Sequence, residues 1–335
     1  MKKIVSSLIF LMLFASFSFS VWADTKNEPL ETDPSNGFYF TINVGAGVQF
    51  GVLTEIFYEK LSDESFYKKS WLRWETLPVF LGSFENSIGY NFSKYHSINL
   101  SAFFSFAVPD FAGAMEDFDA LLYDGKITDY SYHDNYIDSI YSTGFYTDYS
   151  FLGGFGISIG LEFQTLNFLG ENGYAQHNSD WGWATGYWNA NMPYTSTYEG
   201  NIVISYEAFS FYWKPGIVFR HSFTDDFRIG FGAWSYLYRF SQAEDIHYKF
   251  NPNVPIWYFT DIIKTWFSGF EIQASTEYAI QDKFSLSLRI VGKYLPDVLG
   301  DDYTGKPPDH KLNEDYKGGF AAWSVYANVA AVLRL

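Results

Sequence analysis

The chain has 335 residues, a formal charge of −16 and no cysteine. The lack of thiols removes disulfide scaffolds, thiol catalysis and cysteine zinc sites, and the acidic balance argues against non-specific nucleic-acid binding. Disorder is excluded too, because 47% of residues are hydrophobic and 22% aromatic, ample for a large buried or lipid-facing surface.

The first segment has the composition of an export signal. Lys2 and Lys3 precede an apolar stretch from Leu8 to Phe19, and Val21-Trp22-Ala23 ends in a small residue suited to signal peptidase. A membrane anchor is the alternative, but the stretch is short for a span of about 20 apolar residues and a polar acidic segment follows. Residues 1–23 are therefore expected to be a signal peptide and 24–335 a single domain. Losing Lys2 and Lys3 takes the formal charge from −16 to −18.

Further along, no segment offers another such apolar run, and the dominant pattern has period two. Phe38, Phe40, Ile42, Val44, Ala46 and Val48 share one face of the first run. Trp323, Val325, Ala327, Val329, Ala331 and Leu333 share one face of the last. A soluble sandwich also alternates. Long strands, Phe-rich faces, Tyr and Trp towards segment ends and a chain that finishes inside a strand favour a closed barrel, which satisfies every backbone polar group in lipid. The fold class expected is all-β, a ten-stranded antiparallel transmembrane β-barrel with an extended extracellular rim.

The ten predicted strands cover 37–58, 67–92, 97–113, 136–146, 151–168, 199–222, 226–249, 256–281, 284–298 and 317–335. Connections alternate between short turns and the longer segments 59–66, 114–135, 169–198, 250–255 and 299–316. The long ones are expected outside and the short turns in the periplasm. Arg73, Glu75, Arg220, Arg228, Glu271, Glu277 and Arg289 are expected to fill the lumen, which argues against a passive porin, since wide channels need sixteen or more strands.

Carboxylates gather at the predicted outer ends of three strands. Asp117 and Asp119 share one side of an extended segment, as do Asp245 and His247, and Glu55 lies near the end of the first strand. Exposed acidic loops and a Ca²⁺ site are competing readings. The chemical one is that an Asp beside a His fixes its tautomer and makes a general base. His96, His177, His221 and His310 lack a carboxylate two residues away and are expected at the surface or in the lumen.

These features resemble the omptin family, ten-stranded outer-membrane barrels that act as endopeptidases at the cell surface. Asp117-Phe118-Asp119 matches the family's Asp-x-Asp, Thr128 to His133 its Thr-Asp-x-Ser-x-His, and Asp245-Ile246-His247-Tyr248 its Asp-x-His-Tyr. Gly51, Glu55, Tyr58 and Ser70-Trp71-Leu72-Arg73-Trp74 match early motifs. The resemblance implies an aspartic-type hydrolase without a cofactor or metal. In it, Asp245 and His247 form a dyad facing the Asp117–Asp119 couple, and a water between the pairs attacks the scissile carbonyl. Ser131 and His133 would support the site. Glu55 and Asp129 would bind basic residues of peptide or protein substrates.

Two departures stand out. Ala243 replaces a third family acid two residues before the dyad Asp, which loosens the expected basic specificity. The resemblance implies lipopolysaccharide binding by basic residues on the outer wall, but the region Leu161 to Thr165 and Tyr206 to Phe209 has no Arg or Lys to match them, so outer-membrane lipid is the expected lipid partner and a dependence on lipopolysaccharide does not follow. The expected state is a monomer. A non-enzymatic adhesin or receptor on the same barrel is the competing function, motivated by Ala243 and the long aromatic segment 169–198.

Overall fold

The computed structural model describes residues 37–93, 96–151, 154–180, 183–248, 255–305 and 310–335; the expected signal peptide and most of the segment 250–255 lie outside them. Every regular element among these residues is a strand. In chain order they are β1 (Gly37–Lys60), β2 (Phe66–Asn91), β3 (Ser97–Ala107), β4 (Phe111–Asp119), β5 (Asp129–Phe151) and β6 (Phe155–His177). Three short segments follow, β7 (Ser179–Asp180), β8 (Trp183–Ala184) and β9 (Ser196–Thr197). Then come β10 (Ile202–Ser222), β11 (Phe227–Ser235), β12 (Tyr238–Tyr248), β13 (Pro255–Trp266), β14 (Phe270–Gln281), β15 (Phe284–Leu295), β16 (Leu299–Thr304) and β17 (Lys311–Arg334).

Among the described residues these segments make ten antiparallel passes, because β3/β4, β11/β12, β13/β14 and β15/β16 are each one strand interrupted by two or three residues. The sheet closes on itself through β17 against β1, β15 and β16. Among the described residues, each of the ten passes is thus flanked by a neighbour on both sides, which pairs the backbone groups of the ring. Both ends of the described chain meet at one rim, where Phe40 and Leu335 exchange backbone hydrogen bonds.

Apolar side chains ring the outside of the wall. Ile157, Ile159, Ile272, Leu286, Leu288, Val325 and Val329 are all exposed. Such a continuous apolar belt is a lipid-facing surface. Its upper border is aromatic: Trp213, Tyr238 and Trp266 stand side by side across three passes, and Tyr294 lies opposite Trp323. From Trp323 down to Leu333 the strand rises about 33 Å, and a tilt of about 40° makes that about 25 Å of lipid. Above the border the wall continues, and its outer face turns polar: Arg73 pairs with Glu75 at 3.0 Å and with Glu116 at 2.9 Å.

That pair corrects one expectation, since Arg73 and Glu75 lie on the outside of the wall. The cause is a bulge. Gln49 pairs with Val79 but Gly51 with Thr76, so Leu77 and Pro78 together oppose Phe50 and β2 carries one extra residue. Inward parity changes there, from Leu72, Trp74 and Thr76 above to Val79 and Leu81 below.

The passes also reach further up than expected. β4 runs to Asp119 and β5 begins at Asp129, so the supposed loop 114–135 is mostly ladder. β6 extends to His177 and β17 starts at Lys311. The turn expected at 147–150 lies lower, beyond the Phe151–Phe155 pair. Polar residues face both sides of the wall above the lipid, so these extensions have no hydrophobic alternation to reveal them.

Below the upper rim the lumen is filled. Trp74 lies against Phe168 and Tyr206, with ring centroids 5.6 Å and 5.8 Å away, and the Arg239 guanidinium stacks 3.7 Å over Phe320. Deeper, Lys214 pairs with Glu162 and, at 2.9 Å, with Glu271, while Lys293 reaches Glu162 at 2.7 Å. Lys214, Glu162 and Arg239 are fully buried. The mutual neutralisation of this cluster is what permits charges inside so narrow a tube.

Candidate active site at the barrel mouth

Above this plug the mouth opens into a crevice of about 960 Å³. Asp117, Asp119, Asp129, Ser131, His133, Asp245, His247 and Glu55 all line it. Every candidate site residue from the sequence thus faces one space, although four strands contribute them.

The dyad is formed within β12. Residues 243, 245 and 247 share the inward side, and His247 Nε2 lies 2.7 Å from Asp245 Oδ2. Trp257 and Phe259 stand edge-on to the imidazole, with centroids 6.1 Å and 5.8 Å away. Burial works against charge on His247, but the adjacent Asp245, with Asp117 and Asp119 behind it, outweighs burial and lifts the pKa to about 9. Near neutral pH the His247 imidazole is therefore mostly protonated.

On the opposite side β4 presents Asp117 and Asp119 inward, paired in register with Leu72 and Ser70 of β2. Ser70 Oγ donates to Asp117 Oδ1 at 3.5 Å, a long contact. Burial pushes both carboxyls up, and the charge of Asp119 pushes Asp117 further. Two such groups side by side favour a shared proton. The electrostatic influence of His247 reaches both, so the two pairs act on common ground between them.

Ser131 and His133 are joined by a hydrogen bond on the inward side of β5. His133 bonds the Asn172 carbonyl through Nδ1 at 2.6 Å and Ser131 Oγ through Nε2 at 3.0 Å. Burial lowers its pKa, so it stays neutral and ties β5 to β6.

Asp129 is held from several sides. It is 2% exposed, and its oxygens accept from Asn178 N, Ser179 Oγ and Thr128 Oγ1 at 3.0, 2.7 and 2.7 Å. His177 Nδ1 lies 3.3 Å from it. Burial alone would raise this carboxyl, but the bonds from His177, Thr128 and Ser179 hold it below the usual range. Its bonding capacity goes to fastening the segment after β6 onto the rim. His177, which has no carboxylate two residues away in sequence, has one across the ladder, since Asp129 and His177 are register partners.

Two acids in this region escaped the sequence reading. Asp261 of β13 stands opposite Ala243 on one side and opposite Asp302 of β16 on the other. Asp261 lines the crevice, and the two are 5% and 0% exposed. Burial raises both pKa values, that of Asp302 to about 6. The available signal was an aspartate inside the apolar run Phe259-Thr260-Asp261-Ile262-Ile263.

No protein-family model matches the chain, and no curated protein matches it by sequence. Among solved structures it is similar to the outer membrane protease OmpT from Escherichia coli, with a TM-score of 0.72 over 92% of this chain and 99% of that one, at 15% identity. The outer membrane protein OprG from Pseudomonas aeruginosa follows at a TM-score of 0.30 and 8% identity, covering 87% of this chain and 96% of that one. At 15% identity the likeness to OmpT shows the fold, that of an outer-membrane β-barrel.

Proposed function

We propose that the protein is an outer-membrane endopeptidase whose crevice faces the outside of the cell and which hydrolyses peptide bonds beside basic residues. The observation that carries this reading is the convergence of Asp117, Asp119, Asp245 and His247 on one crevice above the lipid belt. In the neutral form His247 donates its Nε2–H to Asp245, which leaves the Nδ1 lone pair as the base. A water held by the Asp117–Asp119 couple loses its proton to that base as it attacks the carbonyl. The protonated member of the couple donates to the developing oxyanion. Asp245 stabilises the imidazolium that forms, which then returns its proton to the departing amine as the C–N bond breaks, and no acyl-enzyme is needed.

Several acids surround the space, so a cationic peptide is drawn in and steered. Short turns at the rim where both chain ends lie, and long connections at the crevice, support an outward-facing site. The test is to fold the barrel in detergent, incubate it with a mixed peptide library and sequence the new termini, with His247→Ala and Asp245→Asn alongside. Cleavage beside basic residues that vanishes in both variants, with heat-modifiable migration retained, is expected. Equal cleavage by wild type and variants would reject the assignment.

A further inference from the structure

The wall is distorted opposite His133. Tyr132 pairs with Tyr174 and Asp134 with Glu171, so Asn172 and Gly173 of β6 together oppose His133 and make a bulge. Bulges re-aim groups beside functional sites. Here Asn172 is held in the left-handed region at φ 56°, an uncommon conformation for a residue other than glycine. Three bonds fix it there. Its N–H donates to the Asn201 carbonyl at 3.0 Å, its side-chain amide donates to Asp134 Oδ2 at 3.0 Å, and Gly200 N–H donates to its Oδ1 at 2.8 Å. Gly173 follows at φ 90°, pressed so close to the Tyr132 carbonyl that no Cβ would fit. A strained residue held by so many partners points to a use.

What the bulge delivers is a carbonyl. His133 Nδ1–H donates to Asn172 O at 2.6 Å. With the proton fixed on Nδ1, Nε2 is left as an acceptor, and 3.0 Å from it is Ser131 Oγ. The hydroxyl therefore donates to the ring. A serine, a neutral imidazole that receives its proton and a third group that sets the tautomer are the parts of an activated oxygen nucleophile. Burial keeps the ring neutral. Ser131 faces the crevice together with Leu72, Met115 and Ile204, apolar side chains suited to an acyl chain. Across the ladder from Ser131 is Asp117, whose couple carries a proton for an oxyanion. The peptidase steps above use none of Ser131, His133 and Asn172.

We propose that Ser131, with His133 as its base and the Asn172 carbonyl behind it, is a second reactive centre that hydrolyses acyl esters through an acyl-enzyme. Ser131 Oγ bonds to the acyl carbon as His133 Nε2 takes the hydroxyl proton. The carbon–oxygen bond to the alcohol then breaks, and His133 returns the proton to the leaving oxygen. Water repeats the two steps, releasing the carboxylic acid and restoring the serine. Esters are favoured over amides because a carbonyl stabilises imidazolium less than a carboxylate does. An amine must be protonated to leave, whereas an alkoxide or phenolate needs less help. Asp245 and His247 take no part, so the centre stands whether or not the barrel cuts peptides.

In the test, the folded barrel in detergent is treated with a fluorophosphonate probe and the modified peptide is mapped by mass spectrometry, while p-nitrophenyl butyrate reports turnover. Phosphonylation of Ser131 is expected. It should be lost in Ser131→Ala, slowed about 10²- to 10⁴-fold in His133→Ala and kept in His247→Ala. Burial holds His133 below the ordinary value of about 6.5, so the labelling rate should already be level at neutral pH, where a reaction based on His247 would still be rising. Asn172→Ala disfavours the left-handed backbone and loosens the carbonyl, whose bond raises the His133 pKa. It should slow labelling about tenfold and move the acid limb to lower pH. Heat-modifiable migration checks folding in every variant. Ester turnover that falls in step with labelling across the variants would sustain the centre. A folded wild type whose Ser131 stays unmodified, or ester turnover that survives Ser131→Ala, would overturn it.

Discussion

His247 and Asp245 are two residues apart on the inward side of one strand, with Nε2 and Oδ2 2.7 Å apart. Because the carboxylates around it raise the His247 pKa to about 9, the base is mostly protonated at neutral pH. Peptidase kcat/KM should therefore rise with pH and level off above about 9. Asp245→Asn removes the strongest of the raising charges, so it should move that limb to lower pH while cutting the plateau about 10²- to 10⁴-fold. A pH–rate profile of both proteins measures the two effects together. A limb that stays in place in Asp245→Asn would contradict the pairing.

The same carboxylates burden the folded barrel. Burial raises Glu55 and Asp117 in the folded state, so the native protein holds protons that the unfolded chain releases. Their contribution to stability is complete below the ordinary carboxylate range and declines as pH rises through it towards the raised folded values. At pH 7, Glu55→Gln and Asp117→Asn should each raise the melting temperature, and Asp117→Asn should abolish most activity. Thermal unfolding monitored at pH 4 and pH 7 should show the gain only at the higher pH.

Asp129 behaves in the opposite sense, since its folded pKa is depressed. Its stabilising effect is present above the usual aspartate value and lost as pH falls through the folded one. Asp129→Asn should weaken attachment of residues 178–201 by about 1–3 kcal/mol. Faster deuterium uptake confined to that segment, also produced in the wild type by acid, is the expected signature.

Glu162 holds two lysines in the lumen. Glu162→Ala leaves them with Glu271 alone, and breaking such a buried cluster should cost about 3–5 kcal/mol. Urea unfolding in lipid vesicles reads this directly. Planar bilayers containing the wild type should show no large steady conductance steps.

Much of the site was legible because i and i+2 share a face in any extended chain. That rule alone brought Asp117 to Asp119 and Asp245 to His247, and the lipid-facing alternation set the ten passes. What the sequence concealed depends on neighbours across the ladder. Asp261 has no acidic partner nearby in sequence, only the register that sets it between Ala243 and Asp302. His177 looked solitary for the same reason. Arg73 and Glu75 lie outside the wall and not in the lumen because the one-residue bulge at Leu77 and Pro78 reverses which side of β2 faces inward. Residues 114–135 looked like a loop because a strand with water on its outside and polar chemistry on its inside has no apolar face to display.

The stack of Trp74, Tyr206 and Phe168 over the lysine–glutamate cluster gives the molecule a floor as well as a wall. A polypeptide can dip into this cup but cannot be threaded through it. Under the proposed peptidase reading, both fragments of a cut would depart by the opening that admitted the substrate, and the opposite compartment would be left untouched.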